Sequence, residues 1–437
     1  MPNPSVVTAL ARSFLAGEQS VDQIVARAAH TLGRDWRWLR AAAQRYVSAT
    51  PQGTRPRLRD VVEFLRSDRA LRRAGRGLQI AHWIAGPQLM QPAPVAADWP
   101  IPPIESAGDL AVWLQLTASD LDWFADLKAL GYKQTEPRLR HYHYRVLYKR
   151  SGAIRLIEAP KPRLKEMQRR ILSQILEKIP AHPAVHGFLK NRSIRTFAAP
   201  HTGRPVVLRM DLRDFFPSFT GARIQTFFRM AGYPESVADL LGGICTNCAP
   251  RDAWAAAAHE VDRRELHDAR LLYGRPHLPQ GAPTSPALAN LCFYRIDCRL
   301  AGLAKAAGAE YTRYADDLAF SGGDDFARRV ERFSVHAAAL LLEEGFDVHH
   351  RKTRVMRQGV RQHLAGLVTN TRLNIRRDDF DRLKAILTNC VRHGPDSQNR
   401  DGHLDFRAHL QGRIAFVESV NASRAARLRG VFERIAW

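Results

Sequence analysis

The sequence predicts an α+β protein built of two or three packed units, and three observations support this prediction. Its 437 residues are more than one ordinary hydrophobic core accommodates. Residues 1 to about 85 carry apolar side chains at helical spacing. Beyond them, short β-prone runs alternate with helical segments. We therefore expect a helical N-terminal region followed by a larger mixed part.

The composition favours a polyanionic partner. Lys and Arg number 66 against 43 Asp and Glu, which gives a formal net charge of +23. Nucleic acid is the leading candidate for such a partner, and a well-solvated basic surface is the alternative. The sequence has neither a run of roughly 20 apolar residues nor a signal-peptide layout, so we expect a cytoplasmic protein without a membrane partner.

The cysteines are few and odd in number. Five cysteines fit a reducing compartment better than a disulfide framework. Cys245 and Cys248 form a CxxC pair, but no second Cys or His pair follows at zinc-finger spacing. We favour buried helix cysteines over a metal site.

The N-terminal region shows two amphipathic segments. Ser20 is placed to cap the first, whose apolar face carries Val21, Ile24, Val25 and Ala28. The second has an apolar face of Leu58, Val61, Val62, Leu65 and Leu71. Around it lie Arg59, Arg66, Arg69, Arg72 and Arg73. These arginines either contact RNA or form a solvated face.

Residues 86–108 contain six prolines and no sustained apolar period, which predicts a linker or extended connection. Residues 109–127 then predict a helix. Residues 141–160 predict two strands joined by a turn at Ser151-Gly152, and a long helix is expected from Leu164 to Lys178.

Two acidic segments carry the chemistry. An apolar strand run ends at Asp211, with Asp214 three residues on, and Asp316 and Asp317 lie between two β-prone runs, as at a hairpin tip. Adjacent carboxylates repel each other unless a cation neutralises them, and hard oxygen ligands suit Mg²⁺. An isolated Asp-Asp pair more often forms a turn on a solvated surface.

Between these segments lies HLPQGAPTSP, a Pro- and Gly-rich turn that leads into an apolar helix beginning near Ser285. Gly281 lets the backbone approach a base pair or sugar closely, and the Gln280 amide beside it both donates and accepts hydrogen bonds. The same residues also fit an ordinary helix start.

In this order, DLRDFF, LPQGAPTSP, YADD, the Lys-Thr of HRKTRV and HLAGLVTN resemble the reverse transcriptase family from about residue 109 to 437. HPAVHGFLKNRS, APH and QGRIAFVESVNASRAARL are most similar to the bacterial retron-type enzymes. The resemblance implies a right-hand polymerase that makes DNA on an RNA template. It places the fingers at 109–205, the palm at 206–370 with inserted helices at 221–275, and the thumb at 371–437, after a helical region at 1–85 and a linker at 86–108.

The resemblance also implies roles for individual residues. Asp211, Asp316 and Asp317, with the Leu212 carbonyl, would bind two Mg²⁺ ions, for which Mn²⁺ is a substitute, and the ions would activate the attacking hydroxyl and stabilise the leaving pyrophosphate. Lys352 would protonate pyrophosphate, or is a surface lysine. Further positions are Phe216 as steric gate, Gln280 and Gly281 at the nucleotide, Gly366 in the primer-grip strand, and Arg155, Lys190 and Arg192 on the triphosphate or template phosphate.

In the thumb, LKAILTNCVRH and the final NASRAARLRGVFERIAW would form basic helices that track a duplex, although a packed helical bundle explains their apolar faces equally well. Two signatures depart from the retron pattern. Asn-Ala-x-x-His is replaced by Phe197-Ala198-Ala199-Pro200-His201, and Val-Thr-Gly by Leu364-Ala365-Gly366.

The expected partners are a structured non-coding RNA as template and primer, an RNA–DNA hybrid, deoxynucleotides and an effector protein, in a setting of phage defence. The alternatives are a non-retron defence enzyme with template-independent or protein-primed synthesis, and a non-catalytic RNA-binding scaffold.

Overall fold

The computed structural model describes residues 3–51, 56–74, 77–84, 89–148, 154–255 and 261–437. The chain divides into two compact units, each assembled from separate stretches. Unit 1 comprises Met1–Pro180 and Phe216–Cys292, and unit 2 comprises Ala181–Phe215 and Phe293–Trp437. The predicted turn at Ser151-Gly152 and the predicted start of the linker at residue 86 lie outside the described residues.

Helices and antiparallel strands alternate along the described residues, which confirms the α+β class. The helices are α1 Pro4–Leu15, α2 Val21–Leu32, α3 Arg37–Ala49, α4 Leu58–Ser67, α5 Arg69–Ala74, α6 Ala107–Leu114, α7 Ala118–Ala125, α8 Pro162–Gln174, α9 Ile194–Ala198, α10 Gly221–Met230, α11 Glu235–Cys245, α12 Arg263–Tyr273, α13 Ser285–Cys292, α14 Tyr294–Ala306, α15 Asp324–Glu343, α16 Arg377–His393, α17 Phe406–Val420 and α18 Ala422–Phe432. The strands are β1 Tyr142–Tyr148, β2 Ile154–Pro160, β3 Val206–Asp211, β4 Ala309–Tyr314, β5 Asp317–Gly322, β6 Arg354–Arg357, β7 His363–Leu364, β8 Leu367–Val368 and β9 Asn374–Ile375.

The N-terminal part of unit 1 is helical, as predicted, and its helices form a bundle with a buried core. The Ser20 hydroxyl accepts a hydrogen bond from the Gln23 amide and caps α2. The second predicted segment is two helices, α4 and α5. They separate at Asp68, whose carboxylate accepts hydrogen bonds from the Ala70 and Leu71 amides. Every member of the buried cluster lies between Val6 and Leu78.

The proline-rich connection of unit 1 contains a short 3-10 turn at Pro94–Ala96 and is packed against other residues of the unit. The Gln91 amide donates to the Gly232 carbonyl at 2.8 Å, and the Tyr233 hydroxyl donates to the Pro102 carbonyl at 3.1 Å. The single helix predicted over 109–127 is wrong, because α6 ends at Leu114 and the next residue, Gln115, is in the left-handed region, with φ 59°. The Thr117 side chain then caps α7.

Three further predicted elements of unit 1 are close to those observed. β1 and β2 pair antiparallel, as expected. The long helix ends earlier than predicted, because α8 stops at Gln174 and a short 3-10 turn covers 176–178. α13 begins at Ser285, but it stops at Cys292, and α14 starts a new helix two residues later.

Unit 2 contains a four-stranded antiparallel sheet in the order β4-β5-β3-β6. β3 is central and pairs with both β5 and β6. β4 and β5 form a hairpin. Most side chains of β3 and β5 in this sheet are buried, because helices pack against the sheet. This sheet therefore fixes the register of its strand ends.

The C-terminal part of unit 2 packs α16, α17 and α18 around a core that includes Leu387, Leu410 and Leu428. The small three-stranded sheet β7-β8-β9 directly precedes α16 in the chain. Gly366 was predicted in a strand, and this is wrong. Ala365 and Gly366 have φ of 44° and 84° and form the two-residue turn between β7 and β8, since positive φ at both positions matches the twist of a hairpin.

None of the helices in the described ranges combines the length and apolar composition that a bilayer-spanning segment needs. Cys245 ends α11 and is buried, as predicted, whereas Cys248 lies in the loop that follows. Burial raises the pKa of both thiols to about 12.

Candidate active site

The acidic residues predicted from the two segments meet at one end of the unit 2 sheet. Asp211 is the last residue of β3, and Asp317 is the first residue of β5 and its direct partner in the ladder. Asp316 lies in the hairpin turn, and its carbonyl accepts a hydrogen bond from the Leu212 amide at 2.9 Å. The three carboxylates therefore belong to adjacent backbone positions, although 105 residues separate Asp211 from Asp316 in the chain.

The turn that carries Asp316 has a constrained backbone. Ala315 adopts φ 54°, which a non-glycine residue rarely does without support. Support comes from Arg313, whose guanidinium donates to the Ala315 carbonyl at 3.1 Å. An arginine two residues before the turn thus holds the peptide unit that precedes the acidic pair.

Arg313 is itself held by a fully buried ion pair. Its Nε and Nη2 donate to the two carboxylate oxygens of Asp297 in α14, both at 2.8 Å, and both side chains are 0% exposed. The Tyr311 hydroxyl donates to the same carboxylate at 2.7 Å, and the Phe293 ring lies 4.6 Å from the guanidinium. A buried charge needs such complete pairing, so this arrangement fixes the hairpin to α14.

His201 fastens the two strands of the hairpin to each other. Its Nε2 lies 2.7 Å from the Thr312 hydroxyl in β4, and its Nδ1 lies 2.7 Å from the Ser321 hydroxyl in β5. The Thr312 hydroxyl donates its single hydrogen to the Phe197 carbonyl, so it must accept from His201 Nε2–H. In a neutral imidazole, Nδ1 is then the acceptor for the Ser321 hydroxyl.

Burial agrees with this assignment. It is the largest cause that lowers the pKa of His201 to about 3, and the neighbouring cation Arg204 and His186 lower it further. The histidine of the altered Asn-Ala-x-x-His signature is therefore a buried neutral contact that joins the two strands of the hairpin from outside it.

Two basic side chains form ion pairs with the aspartates at this end of the sheet. The Lys352 ammonium donates to Asp211 Oδ1 at 2.7 Å. The Arg209 guanidinium donates to both oxygens of Asp317, at 2.7 and 2.9 Å from Nη2, with a further bond of 2.9 Å from Nε. Among the described residues, no three His, Cys, Asp or Glu side chains converge as a ready metal cage.

The donor set nevertheless fits divalent cations. Three carboxylates and the Leu212 carbonyl offer hard oxygen ligands of the kind that Mg²⁺ takes together with substrate phosphates. The ammonium and guanidinium groups show that this end of the sheet accepts positive charge. Burial is the largest cause that raises the pKa of Asp317, Arg209 opposes it, and the nearby Asp211 raises it further.

Leu212 and Lys352 are held in place by a loop that follows α15. The His349 amide donates to the Asp211 carbonyl at 2.7 Å, and the Arg213 amide donates to the Asp347 carbonyl at 2.8 Å. The Lys352 amide donates to the His349 carbonyl at 2.8 Å. This loop therefore places Lys352 beside Asp211.

Other predicted residues of unit 2 lie outside this group. Lys190 and Arg192 are exposed in the loop before α9, and an Arg192 nitrogen lies 3.5 Å from His186 Nδ1. Gly366 lies in the β7–β8 turn.

Four predicted residues belong to unit 1. Phe216 is half-buried, and its carbonyl accepts from the Phe219 amide. Arg155 lies on β2 opposite Leu147. Gln280 accepts a hydrogen bond from the Glu158 amide at 2.9 Å. Gly281 has φ 134°, and a Cβ there would lie 2.8 Å from the Glu158 carbonyl, so the close approach in this structure is to the β2 backbone.

A buried pair supports the turn at Gln280-Gly281. His277 Nε2 lies 2.9 Å from Glu158 Oε2, with both side chains fully buried, and the Asn247 amide donates to the other Glu158 oxygen at 2.7 Å. The LPQG segment is thus tied to β2 through side chains as well as backbone.

Sequence reasoning missed Arg209, Arg313, Asp297 and His277. Arg209 carried a signal, because it alternates with Asp211 and so points to the same face of β3. Arg313 and Asp297 gave no comparable signal, because β4 and α14 each carry other charged residues. Which partner each charge meets was not visible in the sequence.

The strand order, the hairpin with its acidic tip and the surrounding helices define the α+β right-hand polymerase class. Residues 147–371, about half of the chain, match the family model described as reverse transcriptase (RNA-dependent DNA polymerase). The chain therefore belongs to the reverse transcriptase family, and the predicted fold class is confirmed.

Curated relatives confirm the resemblance to bacterial retron-type enzymes. The retron Mx65 reverse transcriptase of Myxococcus xanthus is 44% identical over 67% of this chain and 64% of its own length. The retron Mx162 reverse transcriptase of the same organism is 38% identical over 74% of this chain and 65% of its length. The retron Ec86 reverse transcriptase of Escherichia coli is 29% identical over 63% of this chain and 74% of its own length. The match thus spans just under two thirds of the two Myxococcus relatives.

Proposed function

We propose that this chain is an RNA-directed DNA polymerase of the retron type. The observation that carries the proposal is the direct pairing of Asp211 with Asp317 at the end of a rigid sheet, with Asp316 in the adjoining turn. Family membership supports the reaction class. The sheet, the Arg313–Asp297 pair and His201 keep the three acidic positions together, as a preorganised site requires.

The acidic residues would hold two Mg²⁺ ions, or Mn²⁺ as a substitute. When bound, the ions would activate the attacking 3′-hydroxyl and stabilise the leaving pyrophosphate. Asp211, Asp316, Asp317 and the Leu212 carbonyl supply the oxygen ligands. Lys352 is an ammonium beside Asp211, so it is a suitable donor of a proton to pyrophosphate.

The remaining predicted positions form the proposed substrate contacts. Phe216 would exclude a ribose 2′-hydroxyl, and Gln280 and Gly281 would contact the nucleotide. The cations Arg155, Lys190 and Arg192 would neutralise the triphosphate or template phosphate. Gly366, at the tip of a tight hairpin, would contact the primer.

The partners would be a structured non-coding RNA, its RNA–DNA hybrid and deoxynucleotides. The net charge of +23 suits such polyanions. A role in phage defence, an effector protein and a cytoplasmic location belong to the same proposal and rest on the likeness to retron enzymes.

The test replaces Asp316 by Asn, because a neutral amide is a poor Mg²⁺ ligand. We expect incorporation of deoxynucleotides on a primed RNA template to fall about a hundredfold to a thousandfold, which is the scale of a lost catalytic electrostatic contact. RNA binding should be retained. Asp325→Asn is the matched control, since Asp325 is an exposed aspartate that pairs with Arg328 on α15.

Normal synthesis by the Asp316→Asn protein would refute the proposed chemistry. A wild-type protein that binds RNA but incorporates nothing would favour the scaffold alternative. Products whose composition ignores the template would favour template-independent synthesis.

A further inference from the structure

Arg209 makes a bidentate side-chain contact with one of the three acidic residues. It lies two residues before Asp211 on β3, and its guanidinium contacts both oxygens of Asp317 on the neighbouring strand. The three donor–acceptor distances are between 2.7 and 2.9 Å. The hydrogen bonds of such a bidentate ion pair are shorter and stronger than those between neutral groups.

Lys352 and Arg209 differ in how firmly they hold their aspartates. The Lys352 side chain is 47% exposed and reaches Asp211 through one bond on a flexible stem. The Arg209 side chain is 24% exposed and starts from a central strand of the sheet. An ammonium is more readily displaced than a planar fork with three bonds. We therefore expect Lys352 to leave Asp211 more readily than Arg209 leaves Asp317.

A guanidinium bound to Asp317 lowers the affinity of this end of the sheet for any other cation. It occupies oxygen atoms that would otherwise face an ion, and its own charge repels the ion at short range. A nucleotide offsets both effects, because its triphosphate supplies additional oxygen ligands and negative charge.

We infer that Arg209 is an internal counter-cation that competes with divalent ions for Asp317 and makes their binding depend on the nucleotide. This inference rests on the proposed function, because it concerns the same acidic residues. Without nucleotide the site binds a free ion weakly, and with nucleotide the ion enters together with the phosphates. Arg209 is thus a positioning residue that sets when the site is loaded.

The test measures Mn²⁺ binding directly, by electron paramagnetic resonance of the free ion, with the full chain and no primer or template. Arg209→Gln removes the charge and keeps hydrogen-bonding capacity. We expect Mn²⁺ alone to bind this variant at least about tenfold more tightly than wild type, since one unit charge at contact distance near a protein surface is worth more than a factor of ten. A saturating deoxynucleotide should narrow the difference.

Two further variants isolate the charge. Arg209→Lys keeps the charge, and we expect its Mn²⁺ affinity to stay within about threefold of wild type. Arg295→Gln removes an arginine whose ion pair is with Glu344 and not with any of the three acidic residues. It should leave Mn²⁺ binding unchanged. Melting curves for each variant show that it is folded.

Equal Mn²⁺ affinity in wild type and Arg209→Gln would overturn the inference. Weaker binding by Arg209→Gln would overturn it as well, because Arg209 would then support the ligand set. Failure of the proposed function looks different. In that case wild type would bind no Mn²⁺ at this site even with nucleotide, and Asp211→Asn would leave the measured Mn²⁺ binding unchanged.

Discussion

Arg313 shows how a single buried side chain controls the backbone of the acidic turn. The Asp297 carboxylate accepts from the Arg313 Nε and Nη2, and the Ala315 carbonyl accepts from its Nη1. A lysine can keep the positive charge, but it offers one point of attachment and no fork. The two functions of Arg313, charge and geometry, can therefore be separated by substitution.

Arg313→Lys should lower the free energy of unfolding by about 1–3 kcal/mol, because one buried acceptor loses its donor. The rate constant kcat should fall about 100-fold, the scale expected when reacting groups are misplaced by about 1 Å. Urea denaturation and single-nucleotide incorporation measure the two effects. Arg299→Lys is the control, since Arg299 pairs with Glu343 and Glu344 on the partly exposed surface. A destabilised variant with wild-type kcat would show that Arg313 supports only stability.

At the scale of the element, the β4–β5 hairpin is held by polar contacts from outside it. Its local sequence predicts two strands and a tip, because β-prone runs flank Ala315-Asp316. Its orientation depends on His201, from a segment that precedes β3 by several residues. The hydrogen bonds require a neutral imidazole, so the hairpin should respond to acid.

The pH dependence has a definite sign. His201 has a pKa near 3 in the folded chain and an ordinary value of 6.5 when unfolded. Between these values the unfolded chain binds the proton and the folded chain does not, so stability is present above pH 6.5 and is lost as the pH falls toward 3. We expect the urea midpoint to decrease over this range.

His201→Asn isolates this contribution. It should be less stable than wild type at pH 8, by about 1–3 kcal/mol, because Asn fits the two hydroxyls less well. The difference should narrow as the pH falls, since wild type alone loses the histidine contribution. A difference that is constant between pH 8 and pH 4 would contradict the neutral, buried assignment.

At the scale of the whole molecule, the N-terminal bundle is a separate hydrophobic core joined to the rest of unit 1 by polar contacts. Arg57 donates to Gln225 and to Asp239, the latter at 3.2 Å, and Glu235 accepts from the Leu58 amide at 2.9 Å. Residues 1–85 contain fourteen arginines, no lysine and six acidic residues. This composition suits contact with RNA phosphates.

Deletion of residues 1–85 should therefore leave extension of a generic primer–template within about threefold of the full chain. Affinity for the native RNA should fall at least about tenfold, and the loss should shrink at high salt because phosphate contacts are screened. Filter binding at several salt concentrations and an extension assay measure both. Loss of generic extension would instead make the bundle part of the polymerase core.

Much of the local structure was predictable from the sequence. The α2 cap at Ser20, the strand that ends at Asp211 and the start of α13 at Ser285 follow from capping chemistry and apolar alternation. Two of the errors occurred where one or two residues in the left-handed region interrupt a continuous pattern. Gln115 divides the helix expected over 109–127, and Ala365 with Gly366 turns an expected strand into a hairpin.

The sequence by itself determined which acidic residues are candidates for the site, where strands end and which family the chain resembles. These features depend on neighbours along the chain. Only the tertiary structure decided which charge meets which. Arg209 and Asp317 are 108 positions apart, and His201 reaches Ser321 across 120. Sheet register and helix packing bring such groups together, and side-chain pairing over that separation depends on three-dimensional distance, which local spacing does not encode.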